Sequence, residues 1–307
     1  MNFYPEGLLL DTEQNRAKTA DILSLKEAAT HGDILEGRAI ICDSCHNLAV
    51  ELPSGIKGVI PREEGAVGIE TGQTRDIAII SRVNKAVSFI VTGFDDSSGK
   101  VTPVFSRRLA QQRCYDEYIS RLTCGDVISV KVTHLEPFGA FVDIGCGISS
   151  MIPIDSISIS RIPHPSERFY VGQNIYAVVR SVENNRLSLS HKELLGTWQQ
   201  NACNFSPGET VAGIVRSLEQ YGIFVELTPN LAGLAEYRSG VRCGMHTSVY
   251  IKNLLPARMK IKLIIIDAFP ADYPPVPLEY YITGGHINSW RYSPNGCEKV
   301  IETNFQI

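Results

Sequence analysis

The 307-residue chain lacks any excess of positive charge, with 29 Lys and Arg against 33 Asp and Glu, a formal net charge of -4. Its pI lies near 6.0. That balance argues against a strongly basic duplex-DNA binder. It leaves open the binding of single strands, which a local basic groove and stacking aromatics can hold on an acidic chain. Long apolar runs are missing too: no window approaches the roughly 20 apolar residues of a membrane helix. The start, Met1 to Leu10, has no basic flank before its short apolar run and reads as a poor signal peptide. Eight cysteines are scattered without a framework spacing, which suits a reducing cytoplasm. A cytoplasmic protein without a membrane partner is expected.

Catalytic signatures are also lacking. No Ser/His/Asp triad, paired carboxylate or phosphate loop can be assembled from neighbouring motifs, so neither an enzyme nor a small-molecule substrate is expected. Cys42, Cys45 and His46 spell C-x-x-C-H, the pattern of covalent haem attachment. That chemistry normally belongs to an exported chain, and the repeat described below puts these residues around a turn between two strands. Buried or idle thiols are the preferred reading, with no cofactor and no metal. Gly145-Cys146-Gly147 follows a strand, but Ser150 stands where a dinucleotide loop needs its third glycine. It reads as a β-turn. His164, with Arg161 and Arg168 near it in a Pro-rich stretch, reads as a solvated loop.

What the sequence does contain is a repeat. From Gly125 and from Gly208 the chain stays in register without a gap for roughly thirty residues. Phe138-Gly139-Ala140-Phe141-Val142-Asp143-Ile144 falls on Tyr221-Gly222-Ile223-Phe224-Val225-Glu226-Leu227. A weaker copy starts at Gly32-Asp33-Ile34-Leu35 and needs one residue removed at a turn. There His46 takes the place of Phe138, and Ala49 that of Phe141. The local pattern is β. Ile128, Val130 and Val132 alternate with Ser129, Lys131 and Thr133, and Asn184-Asn185 marks a tight hairpin turn. Five short strands per unit of about 70 residues fit a closed Greek-key barrel, the oligonucleotide-binding (OB) fold.

The expected architecture is therefore all-β: tandem five-stranded OB barrels in three copies, the first degenerate, joined by short helices. Residues 1–31 form a helical segment and 32–105 the degenerate barrel. A linker helix at 106–122 leads to a second barrel at 123–190, and another at 191–205 to a third at 206–269. Prolines break any strand after Phe269, and the tail, 270–307, reads as a β-hairpin packed on the third barrel.

Gly125-Asp126-Val127, Lys131-Val132-Thr133, Phe138-Gly139-Ala140-Phe141-Val142 and Arg186-Leu187-Ser188-Leu189-Ser190 together resemble the S-one RNA-binding domain, named after protein one of the small ribosomal subunit. The middle copy matches along its whole length, the third in its first half, and the first only in outline. The three-copy organisation is similar to the short S-one-like ribosomal proteins of Gram-positive bacteria. The resemblance implies two aromatics that stack bases of single-stranded RNA, aided by a histidine, an acid and a base. Phe138 and Phe141 match the aromatics, with Lys131 on the preceding strand, Glu183 as the acid and Arg186 as the base. Pro153 occupies the histidine position. In the third copy Tyr221 and Phe224 match, Lys260 replaces the base, Glu236 stands at the histidine position and Leu255 at the acid.

The residues alone support part of this. A strand places positions three apart on opposite faces unless a bulge intervenes, and Gly139 would permit one. Packing of the rings inside the barrel is the competing reading. The resulting expectation is binding of single-stranded RNA or mRNA, in association with the small ribosomal subunit and translation. A non-ribosomal RNA regulator and a scaffold with mostly RNA-inert barrels are the alternatives. The middle barrel ranks as the better binder, the third as weaker and the first as structural.

Overall fold

A computed structural model of the chain describes residues 3–97, 99, 101–183, 186–274 and 276–306. Two short helices open it, α1 (Glu13–Lys18) and α2 (Ile22–His31), started by the side chains of Thr12 and Asp21, which accept from the backbone N–H three residues on. Gly32 ends α2 in the left-handed conformation that glycine tolerates best. Strands β1 (Leu35–Cys42), β2 (Leu48–Glu51) and β3 (Lys57–Ile60) follow, then α3 (Ile77–Ile80), β4 (Ala86–Asp95) and β5 (Thr102–Ser106). Helix α4 (Arg107–Glu117) leads to β6 (Val127–Glu136), β7 (Gly139–Asp143), β8 (Ser149–Pro153), β9 (Asn174–Glu183) and β10 (Arg186–Ser190). Helix α5 (Trp198–Ala202) precedes β11 (Thr210–Glu219), β12 (Gly222–Thr228), β13 (Leu231–Ala235), β14 (His246–Leu255) and β15 (Lys260–Phe269).

These strands close three five-stranded barrels, each in the order first, second, third, fifth, fourth. Closure pairs the third strand with the fifth in parallel, as Val59 with Val104 and Leu234 with Lys262 illustrate, and in the first and third barrels every other neighbour is antiparallel. Alternating aliphatics fill each interior. In the first barrel Phe89 and Phe105 stack at 4.1 Å, and Gly58 is glycine because a Cβ there would come within 2.3 Å of the Phe105 ring.

The chain divides into two compact units. The first comprises residues 1–122 with 143–149, the second residues 123–142 with 150–307. Within the first, carboxylates far apart in sequence meet, a cluster that short-range motif reading missed. Glu6 accepts from Arg107 Nε at 2.7 Å and Arg82 Nη1 at 3.3 Å, and its backbone N–H donates to Asp143 at 2.7 Å. Burial works to raise the Glu6 pKa, but the Arg107 and Arg82 charges hold it below the ordinary carboxylate range. Glu36 accepts the backbone N–H groups of Gly7, Leu9 and Leu10. Its burial pushes the carboxyl up to about 7 against the pull of those donors. The Gly145-Cys146-Gly147 turn is wound around Asp143, which accepts from the N–H groups of Gly145 and Gly147.

In the second unit the middle and third barrels share a buried ion cluster. Arg168 Nη2 donates to Glu226 Oε2 at 2.5 Å, and Arg216 donates to Glu226 through Nε at 2.8 Å and to Glu167 through Nη1 at 2.8 Å. Arg168 is thus not a surface neighbour of His164, as the Pro-rich loop suggested; only 5% of it is exposed. Such a pair resists loss of either partner, because removal strands a buried charge. The tail contains a two-stranded antiparallel sheet, β16 (Ser289–Arg291) with β17 (Glu302–Asn304). Trp290, Tyr292 and Phe305 join Trp198 and the third barrel's interior. The tail is not confined to that barrel, however. Val127 N–H donates to Gly285 and Ile287 N–H to Gly125 in the middle barrel, and His286 meets Asp126 at 2.7 Å. The Asn184-Asn185 turn lies outside the described residues. No helix among the described residues is long and apolar enough to cross a membrane.

Candidate nucleic-acid interface

The aromatic pair is positioned by a glycine and a register slip. In the third barrel β11 and β12 pair as Val215 with Val225, then Ser217 with Phe224, so β11 skips a residue between them. In this barrel the bulge therefore lies in the first strand rather than at Gly222, the counterpart of Gly139. Glycine has a different task. A Cβ on Gly139 would lie 2.5 Å from the Ile152 carbonyl oxygen, and one on Gly222 2.5 Å from that of Ala235. The turn therefore packs directly against the third strand, which only glycine allows. The first aromatic belongs to the turn, immediately before the strand begins. The second points outward between two inward aliphatics, Ala140 and Val142 or Ile223 and Val225.

Both rings of each pair consequently face one surface. Phe138 is 56% exposed and stands edge-on to Phe141 at 6.0 Å. Tyr221 is 69% exposed and meets Phe224 in the same way at 6.1 Å. The interior-packing alternative fails on this exposure. A third ring, His134, lies 6.3 Å from Phe141, and its Nε2–H donates to the Glu136 carboxylate at 2.7 Å. Sequence reading missed it because straight alternation does not reveal which face a residue takes after a bulge.

The remaining expected positions are more dispersed. Lys131 is half-buried in the middle of β6, opposite Asn174 of β9. Glu183 is exposed at the end of β9, paired in register with Arg186 at the start of β10; the Arg186 side chain lies outside the described residues. Lys260 is exposed where β15 begins, opposite Leu255, while Glu236 is exposed just past β13. No hydrogen bond among the described residues joins Glu183 or Lys260 to an aromatic pair.

One outward row compares the barrels. In the third it runs Ser217, Phe224, Leu234, Lys262, Asn253 across neighbouring strands. In the first the same row runs Ile41, Ala49, Val59, Val104, Gly93, an aliphatic strip without a ring. His46 sits in the left-handed region at the preceding turn, 3.4 Å from Asp76, whose carboxyl is held low by its hydrogen bond to Arg62. Cys42 and Cys45 flank that turn, and no cluster of metal-binding side chains occurs among the described residues.

Residues 121–192 match the S1 RNA binding domain, the S-one domain expected from the sequence. The chain is 34% identical over 187 residues to the small ribosomal subunit protein bS1 homolog of Bacillus subtilis, covering 59% of this chain and 47% of that protein. It is 30% identical over 230 residues to small ribosomal subunit protein bS1 of Neisseria meningitidis, covering 73% of this chain and 39% of that protein. The chain belongs to the S1 family. It spans less than half the length of these two curated relatives. A multidomain protein with nucleic acid binding domains from Streptococcus pneumoniae overlaps 77% of this chain and 74% of its own, at 15% identity and a TM-score of 0.24. So loose an overlay bears on neither arrangement nor role. The S1 match lies on the middle barrel, where Phe138, Phe141 and His134 form the most complete ring cluster.

Proposed function

We propose that this S1-family chain binds single-stranded RNA on the outward faces of its middle and third barrels. The observation that carries this is the pair of outward rings held by the same turn geometry in both barrels. Stacking contributes roughly 1 to 3 kcal/mol per base and tolerates any base, which suits a transcript of varied sequence. Phe138 and Phe141, with Lys131, Glu183 and Arg186, form the middle site; Tyr221, Phe224 and Lys260 form the third. The names of the bS1 relatives support a place on the small ribosomal subunit; we further propose mRNA as the ligand, translation as the setting and the cytoplasm as the compartment. The role is binding, not catalysis.

The aliphatic row of the first barrel favours a second task for that barrel, as a support or protein-docking element rather than an RNA site. Two measurements test the reading. Titration with an unstructured RNA and with a duplex should show preference for the single strand, and the protein should sediment with small subunits in lysate. Equal or absent binding to both nucleic acids would contradict the first part. Sedimentation away from ribosomes with intact RNA binding would favour a regulator off the ribosome.

A further inference from the structure

The fourth and fifth strands of each barrel form a hairpin, and the three hairpins differ in charge. In the first barrel the described part carries exposed Asp95 at the end of β4 and Asp96 in the turn after it. In the middle barrel the described part carries Arg180 and Glu183. In the third, Lys252 on β14, Arg258 in the turn and Lys260 and Lys262 on β15 are all exposed. None of the four makes an ion pair among the described residues. Lys262 also stands in the row from Phe224, two strand spacings across, or about 10 Å. Lys260 and Lys262 lie on the outward side of β15, alternating with the buried Ile261 and Leu263. The turn is held in place, because the Cys297 thiol donates to the Pro256 carbonyl at 3.3 Å and Met259 adopts a left-handed conformation.

We infer that the β14–β15 hairpin, through Lys252, Arg258, Lys260 and Lys262, binds the RNA phosphate backbone and makes the third barrel the main electrostatic site of the chain. The inference rests on the proposed RNA binding and deepens it. It also revises the expected ranking, in which the third barrel was merely the weaker copy. The two faces divide the work: the middle barrel supplies stacking, with three rings, while the third supplies charge beside two. Glu236, the exposed acid past β13, opposes phosphate on this face, yet four cations outnumber it. On a chain of net charge -4, a local cluster of one sign is what draws an anionic strand.

Salt dependence separates the two contributions, because each phosphate contact to a single strand changes the slope of log K against log salt by about 0.7, whereas stacking leaves it unchanged. The test uses the full chain and a uridine oligonucleotide titrated between low and moderate salt. Lys252→Gln with Lys262→Gln should flatten the slope by about 1.4 and weaken binding about tenfold at low salt. Lys57→Gln with Lys85→Gln, exposed positions of the first barrel, should leave the slope as it was. Thermal unfolding of each variant checks that the fold is retained. An unchanged slope with RNA still bound would overturn this inference alone. An equal effect from the first-barrel pair would also overturn it, by showing that only total charge matters. Failure of the unmodified chain to bind the oligonucleotide would instead overturn the proposed function beneath it.

Discussion

On the outward row of the first barrel stand Ile41, Ala49, Val59 and Val104; on that of the third stand Ser217, Phe224, Leu234 and Lys262. The strand order, the slip in the first strand and the parallel closure are the same in both. A barrel of this kind is therefore specified by its inward aliphatics and its close-packed turns, and these survive replacement of the outward row. The proposed function rests on a few outward side chains that the fold does not require. The same separation explains how one chain can keep a barrel that is a poor base-stacking surface beside two that are suited to it.

The largest effect expected from breaking this comparison is loss of the middle platform. Phe138→Ala with Phe141→Ala should weaken RNA binding by about 2 to 6 kcal/mol, from roughly 1 to 3 per ring. Both rings lie outside the barrel interior, so thermal stability should change little; a buried Phe→Ala would cost about 3 to 5 kcal/mol. Paired melting and titration on the double mutant distinguish these outcomes.

The two compact units should also respond oppositely to acid. His191 is fully buried, its Nδ1–H donating to the Ile157 carbonyl at 2.8 Å and its Nε2 facing the Tyr280 hydroxyl at 3.0 Å. Burial lowers its pKa from 6.5 to about 4. The unfolded chain therefore takes up this proton first, and the second unit should lose about 3 kcal/mol as pH falls from 6.5 to 4. Glu36 in the first unit has the opposite sign. Its raised pKa gives a contribution present below about 4.5 and lost as pH rises through about 7. Both tryptophans, Trp198 and Trp290, lie in the second unit, so their fluorescence follows that unit as denaturant is added at each pH.

A smaller effect should come from building toward the platform. Ala49→Phe places one ring on the first barrel's row beside Ile41 and should add at most about 1 to 3 kcal/mol to RNA affinity. The gain should fall at the low end, because His46 holds the turn in a left-handed conformation and supplies no second ring. Smallest is His134→Ala, expected to weaken binding by about 1 kcal/mol through loss of the rim ring beside Phe141. RNA titration on each folded variant measures both.

Much of this was legible in the residues. The alternation of Ile128, Val130 and Val132 marked the interior, and the in-register aromatic-Gly-x-aromatic repeat marked the outward pairs. The glycine has a second reason to be there: it allows close approach to the third strand, and in the third barrel the bulge lies in the strand before. His134 and Lys262 escaped because their faces depend on that bulge and on parallel closure with a distant strand. The Glu6–Arg107–Asp143 cluster and the Arg168–Glu226–Arg216 cluster join side chains far apart in sequence, so no local spacing announces them. The tail's contacts to Gly125 and Val127 were hidden for the same reason.

The central claim, that single-stranded RNA lies on the middle and third faces and not on the first, is tested most directly by ultraviolet crosslinking of a uridine oligonucleotide to the intact chain, with the attached residues mapped by mass spectrometry. The account predicts attachment at Phe138 and Phe141, with Tyr221 and Phe224 also marked, and none between Ile41 and Ile60. Crosslinks concentrated in that first-barrel segment, with the four aromatics unmarked, would contradict it.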